Sequence, residues 1–316
     1  LEARSPALVE EENKMSAHRE FARKLTGVFG FPITPMKADL SVDYDGLAKL
    51  VDWMTQFPFC AQVTVGGTGE IYSLTATEAI EAVRVSVDAT AGRMPVVAGV
   101  GYNLPIGVEM AKGMEKAGAG ALLIMPPYYT NAPTEGLFRY YEAIAGAVSI
   151  PVSLYSRDWA VFTPDMVSKL ADRIPNLSFW KDGQGDARKY QRIMAAVGDR
   201  LAWIGGIGDD CAGAYFGVGV QAYTSSLSNV IPKLSLAIAE AGMAGDMDKL
   251  GDLLKKYVHP LYALRDKTRG YEVTVMKKMM ELMGKPAGPA RPPLVEVKAE
   301  EVGEIEKLIA LYEEWA

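Results

Sequence analysis

The chain has 316 residues, 33 Lys and Arg against 39 Asp and Glu for a formal net charge of −6, and 49% hydrophobic residues. That profile supplies a large apolar core and excludes a disordered chain. A pI near 5.2 sets the long-range field against nucleic acid and anionic membranes as partners. Residues 1–24 are set aside as an N-terminal tail, part of it preceding Met15. From there short apolar runs alternate with helical patterns. The runs are Val28–Thr34, Ala61–Val65, Pro95–Val100, Ala121–Met125, Pro151–Tyr155, Leu177–Lys181, Leu201–Ile204 and Val220–Ser225. They are mostly apolar rather than alternating, as parallel strands buried on both faces must be.

Between the runs, apolar residues recur at three-four spacing, as in Leu47, Leu50, Val51, Met54 and in Met166, Val167, Leu170, Ala171. Helix starts carry capping signals: Thr75 with Glu78, Thr163 before Pro164, and Asp209 with Asp210. Eight such units predict a (β/α)8 TIM barrel over residues 25–240. A doubly wound open sheet is the alternative. After residue 229 the pattern is helical only, which predicts a C-terminal helical region, residues 241–316, packed on the barrel. No apolar run reaches the ~18 residues needed to span a bilayer, and residues 1–20 lack the apolar core of a signal peptide. Two cysteines, Cys60 and Cys211, fit neither a disulfide framework nor a metal spacing, which suits a reducing, cytoplasmic setting. With only His18 and His259, a Ser-His-Asp triad or a His-ligated zinc site is not expected.

Barrel active sites lie at the C-terminal ends of strands. Lys181 ends the sixth run. There a lysine either loses its charge to desolvation and serves as a Schiff-base nucleophile, or pairs with a carboxylate such as Asp182. Tyr155 ends the fifth run and is either a proton relay or a packed ring. Gly66-Gly67-Thr68-Gly69-Glu70 follows the second run. It lacks the Gly-Lys-Ser/Thr ending of a nucleotide loop and suits a small carboxylate held by backbone amides; the plain alternative is a tight turn. Arg157 is a carboxylate clamp or the ion-pair partner of Asp158. Thr224, Ser225 and Ser226 offer substrate hydroxyl contacts or ordinary turn chemistry. Gly205-Gly206 gives room.

Taken together, these motifs resemble the dihydrodipicolinate synthase / N-acetylneuraminate lyase superfamily over roughly residues 25–295. The glycine loop follows strand two, Pro-Pro-Tyr128-Tyr129 strand four, Tyr155 strand five and Lys181 strand six. The resemblance implies that Lys181 forms a Schiff base with a 2-keto acid while Tyr155 shuttles protons. Gly67 and Thr68, with the strand-eight backbone near Thr224 and Ser225, would bind the keto-acid carboxylate. Tyr129 would reach a neighbouring site in a homotetramer built as a dimer of dimers. Dihydrodipicolinate synthases usually carry a threonine where this chain has Gly67 and an arginine where it has Ala160. The 5-dehydro-4-deoxyglucarate dehydratases are the more similar subgroup. Tyr155-x-Arg157-Asp158, Lys181-Asp182-Gly183, Gly270-Tyr271 and Ala287-Gly-Pro-Ala-Arg291-x-Pro-Leu294 carry that likeness, with Ser156 and Trp159 as departures near the expected distal pocket. It implies dehydration and decarboxylation of a sugar-derived keto diacid, with Arg157 at the distal end and with no metal or organic cofactor, because the protonated imine on Lys181 is the electron sink. A pyruvate-releasing aldolase, a dihydrodipicolinate synthase-like reaction and a non-catalytic keto-acid-binding protein are the alternatives.

Overall fold

A computed structural model describes residues 6–129 and 131–315, with side chains from residue 13 onward. The predicted strands form β1 (Gly27–Gly30), β2 (Ala61–Thr64), β3 (Val96–Val100), β4 (Ala121–Ile124), β5 (Val152–Ser156), β6 (Leu177–Asp182), β7 (Ala202–Gly205) and β8 (Ala222–Ser225). All pair in parallel, in sequence order. β1 aligns with β8 from Gly27 opposite Ala222 to Gly30 opposite Ser225, which closes the barrel and excludes the open sheet. The register sets Tyr155 beside Lys181, Lys181 beside Ile204, and Phe29 beside Thr224. Successive strand residues face opposite sides, so these side chains share the barrel interior.

The outer ring contains α2 (Tyr44–Met54), α3 (Ala76–Thr90), α4 (Leu104–Lys116), α5 (Thr134–Ala145), α6 (Pro164–Arg173), α7 (Ala187–Val197), α8 (Ala212–Gly217) and α9 (Pro232–Ala244). Thr75 and Glu78 form the reciprocal capping box of α3, and Thr163 caps α6 ahead of Pro164. Leu47, Leu50, Val51 and Met54 are buried along α2. Each such side chain contributes roughly 1.5–3 kcal/mol of hydrophobic stabilisation.

Four expectations change. The run Val28–Thr34 leaves the sheet after Gly30 because its backbone turns to side-chain partners. The Phe31 amide donates to Ser228 Oγ (3.1 Å), the Ile33 amide to Asn229 Oδ1 (3.0 Å), and Asn229 Nδ2 donates to the Phe31 carbonyl (2.7 Å). The segment set aside as a tail forms a helix, α1 (Pro6–Lys24). Its Ala22, followed by Leu25, joins the apolar cluster inside the barrel, and Phe21 meets Phe179 edge-on at 6.2 Å. The N-terminal end of the barrel is thereby covered, which leaves the mouth where the strands end. The last barrel helix, α9, runs past residue 240 to Ala244.

Beyond it lie α10 (Met247–Leu253), a π turn (Leu254–Val258), α11 (His259–Arg265), α12 (Tyr271–Leu282) and α13 (Val302–Tyr312). The region is not helical throughout. Residues 285–298 are irregular because Pro286, Pro289, Pro292 and Pro293 withhold amide donors. Side chains fasten this strap across the barrel. Arg291 pairs with Glu78 and donates to the carbonyls of Leu40 and Ser73, and Lys277 donates to the Pro289 carbonyl (2.9 Å). Among the described residues no helix is long and apolar enough to cross a membrane.

Candidate active site

Lys181 stands inside the barrel mouth at 4% exposure. Its Nζ donates to the Gly206 carbonyl (2.7 Å) and lies 3.4 Å from the centroid of the Tyr155 ring. Asp182 does not pair with it. One residue further along β6, it faces outward, where its carboxylate accepts from the Tyr215 hydroxyl (2.8 Å) and the Gly185 amide (3.0 Å). Among the described residues no carboxylate forms an ion pair with Lys181. Burial therefore pushes its pKa well below the ordinary amine range; the nearby Arg157 adds to the shift and the field of Asp182 opposes it.

Tyr155 donates to the same Gly206 carbonyl (3.1 Å). Burial raises its pKa, while Arg157, whose Nη1 donates to the phenol oxygen at 3.3 Å, pulls the other way. Two glycines make the arrangement possible. A Cβ on Gly206 would stand 2.5 Å from Lys181 Cγ, and one on Gly183 would stand 2.5 Å from Tyr155 Cε2. The expectation that Gly205-Gly206 merely gives room understates Gly206, whose carbonyl binds both reactive side chains.

These groups open into a cleft of about 740 Å³. Gly67 and Thr68 line one wall, and their amides find no acceptor among the described residues. The turn is tightly built: the Glu70 amide donates to the Gly67 carbonyl (3.0 Å), the Ile71 amide to the Gly66 carbonyl (3.2 Å), and the Thr34 hydroxyl to the Gly69 carbonyl (2.7 Å). Val65, just before it, is held at φ 52, a strained state for a β-branched residue. Glu70 closes the motif as a fully buried carboxylate paired with Lys277 of α12. Burial drives the Glu70 pKa up and the Lys277 pKa down, and each partner opposes the shift of the other.

Thr224 lines the cleft, but Ser225 does not. One residue on, it points behind the wall, where its hydroxyl meets Asp209 and Ser235. Ser226 returns to the cleft. Of the two subgroup departures, Trp159 lines the cleft, while Ser156 is buried and donates to the Ala160 carbonyl (3.1 Å). Arg157 lines it too, tied to Tyr155 and to Asp158 (3.2 Å). Tyr129 sits at the rim with 91% of its surface exposed.

Other lining residues escape the sequence reading. Asp209 opens the 3-10 turn ahead of α8, as expected, but its carboxylate also accepts from Ser225, Ser226 and Tyr262, three groups that lie far from it in sequence. Tyr262, Arg265 and Glu272 come from the C-terminal helices, where no sequence signal marks them. Among the described residues no group of three or more His, Cys, Asp or Glu is placed to hold a metal ion.

The model of the dihydrodipicolinate synthetase family matches residues 24–311. A probable 5-dehydro-4-deoxyglucarate dehydratase of Bradyrhizobium diazoefficiens is 39% identical over 286 residues, covering 90% of this chain and 91% of that one. Another from Rhodococcus opacus is 37% identical over 294 residues, covering 92% and 97%. Among solved structures, dihydrodipicolinate synthase from Oceanobacillus iheyensis superimposes with a TM-score of 0.87 at 29% identity, covering 93% of this chain and 98% of that one. With a closed eight-stranded barrel and relatives matched along most of its length, the chain belongs to the dihydrodipicolinate synthetase family.

Proposed function

We propose that this protein is a class I Schiff-base lyase that dehydrates and decarboxylates 5-dehydro-4-deoxyglucarate to 2,5-dioxopentanoate. The observation that carries the chemistry is Lys181, buried at the cleft floor, without a carboxylate partner among the described residues and in contact with Tyr155. The names of the relatives supply the substrate. Gly67, with no side chain, and Ala160, which is buried, withhold the hydroxyl and the guanidinium associated with dihydrodipicolinate synthesis.

Neutral Lys181 attacks the C5 ketone, and the Tyr155 phenol protonates the departing carbinolamine oxygen, which leaves as water. The Gly67 and Thr68 amides hold the adjacent carboxylate, with Thr224 opposite. Arg157 steadies the phenolate at 3.3 Å. The iminium acidifies C4–H. The phenolate takes that proton and returns it to the C3 hydroxyl, which leaves as water. The conjugated iminium then accepts the electron pair released as the distal carboxylate departs as CO2. The enol hydroxyl and a solvent proton re-protonate C3 and C4, and hydrolysis frees the product. The imine is the electron sink, so the scheme calls for no external cofactor. The exposed Tyr129 ring at the rim suits burial against a second subunit of a homotetramer.

The test is incubation with 5-dehydro-4-deoxyglucarate while CO2 and 2,5-dioxopentanoate are followed. Both should appear in equal amounts, and borohydride should trap the adduct on Lys181. Pyruvate release, read with lactate dehydrogenase, would replace this scheme with an aldol cleavage. Turnover retained by Lys181→Ala would refute the imine.

A further inference from the structure

We infer that Arg265, on α11, is the residue that recognises the distal carboxylate of the substrate and makes the site selective for keto diacids over keto monoacids. This deepens the Schiff-base reading and rests on it.

Arg265 lines the same cleft as Lys181 and is only 6% exposed. Its Nη2 donates to Ser226 Oγ (3.0 Å) and to the Glu272 carbonyl (2.8 Å). The Tyr262 ring covers the guanidinium at 5.0 Å. Its Nε is buried with no acceptor among the described residues. Among the described residues no carboxylate forms an ion pair with it. Of the carboxylates around it, Asp210 acts on it only through its field, and two others are hydrogen-bonded elsewhere. Asp209 accepts from Ser225, from the amide and hydroxyl of Ser226, and from Tyr262, while the Glu272 carboxylate accepts from the Gly270 amide (2.9 Å). A buried guanidinium with an unused donor and no directly bonded carboxylate among the described residues is costly, and a carboxylate arriving with the substrate would satisfy it through charge-assisted hydrogen bonds.

Arg157 is placed less well for this task. It is already engaged by Asp158 and the Tyr155 phenol, and its side chain is 42% exposed. Arg265 is also held rigidly to the reaction centre. Ser226, which accepts its hydrogen bond, lies two residues beyond Thr224 and donates to Asp209 (3.0 Å), three residues after the Gly206 carbonyl that binds Lys181. Lys181 and the Gly67–Thr68 wall thus take the keto-acid end, and Arg265 faces the end that becomes CO2.

The experiment compares two six-carbon probes: 2-oxoadipate, which has both carboxylates of the substrate skeleton, and 2-oxohexanoate, which lacks the distal one. Each is trapped on Lys181 with borohydride over a concentration series. The wild-type protein should favour 2-oxoadipate by roughly 10–100-fold, the scale of a charge-assisted hydrogen-bonded pair. Arg265→Gln should erase that preference by lowering trapping of 2-oxoadipate far more than that of 2-oxohexanoate, whose trapping also shows that the variant is folded. Arg265→Lys, which keeps the charge without the fork, should retain part of the preference and serves if the Gln variant does not fold. The inference is overturned if the wild-type shows no preference, if both Arg265 variants keep it whole, or if Arg157→Gln loses it instead. Because trapping does not need turnover, a protein that shows the preference but releases no CO2 would sink the dehydratase reading and leave this assignment standing.

Discussion

Gly206→Ala puts the link between Lys181 and its carbonyl anchor to a direct test. The added Cβ would stand 2.5 Å from Lys181 Cγ, 2.7 Å from Lys181 Cε and 2.7 Å from the Asp182 carbonyl oxygen. The first of these is about 0.9 Å short of the 3.4 Å at which ordinary contact begins. The Asp182 oxygen belongs to the β6 backbone and is fixed by the barrel, so the lysine must give way. Cε carries the reactive amine. A shift near 1 Å at a reacting atom costs on the order of 10²-fold in rate, and overpacking of this kind costs about 1–3 kcal/mol of stability. Gly206 does not occupy the left-handed region, so backbone strain does not confuse the result. The assay is the rate of borohydride trapping of pyruvate, measured with kcat and Tm. Gly251→Ala on α10, where a Cβ meets nothing within 4 Å, is the control. Trapping should slow by about two orders of magnitude while the control is unchanged. Wild-type trapping by a folded Gly206→Ala protein would refute the claim that this contact positions the amine.

Tyr155→Phe keeps the ring against Lys181 but removes the proton relay, so kcat should fall roughly 10²–10⁴-fold, further than the rate of pyruvate trapping; equal losses would confine the relay to imine formation, and no loss in either would assign Tyr155 to packing. Lys181→Met should abolish trapping and raise Tm at neutral pH, because it removes a buried amine. The folded pKa lies below the unfolded value of 10.5, so the unfolded chain binds the extra proton and wild-type stability climbs with pH through that window. The advantage of the variant should therefore shrink between pH 7 and pH 10, and a pH-independent gain would contradict the depressed pKa. Lys277→Met strands the Glu70 carboxylate in the interior and should cost about 3–5 kcal/mol in urea unfolding, and adding Glu70→Gln should restore part of it. A double variant no more stable than the single would show that the charge is not the cause.

Strand order and barrel closure are legible because parallel strands buried on both faces read as apolar runs, and helices between them declare their starts. Thr75 and Thr163 sit at caps because their hydroxyls reach amides three residues on, a purely local event. Lys181 and Tyr155 are legible for the same reason: each is the polar residue that ends an apolar run. The boundary of β1 is not, because Phe31 and Ile33 are as apolar as any strand residue. What ends the strand is Ser228 and Asn229, nearly 200 residues away, offering side chains to the backbone. α1 escaped because its polar surface hides the few residues, Phe21 and Ala22, that reach the barrel floor.

The cleft shows a sharper limit. Position along a strand tells which end of the barrel a residue occupies, and alternation tells which face; position alone sets Thr224, Ser225 and Ser226 together at the mouth. Alternation alone separates Ser225 from its neighbours, as it separates Asp182 from Lys181. Asp209 is the harder case. Its sequence neighbours read as a helix start, but its carboxylate is taken by Ser225, 16 residues on, and by Tyr262, 53 residues on. With its oxygens taken in this way, Asp209 reaches Arg265 only through the shared Ser226 hydroxyl. The arginine is left buried, with an open donor, by contacts that no local pattern encodes, and Tyr262, Arg265 and Glu272 reach the cleft because the C-terminal helices pack on the barrel.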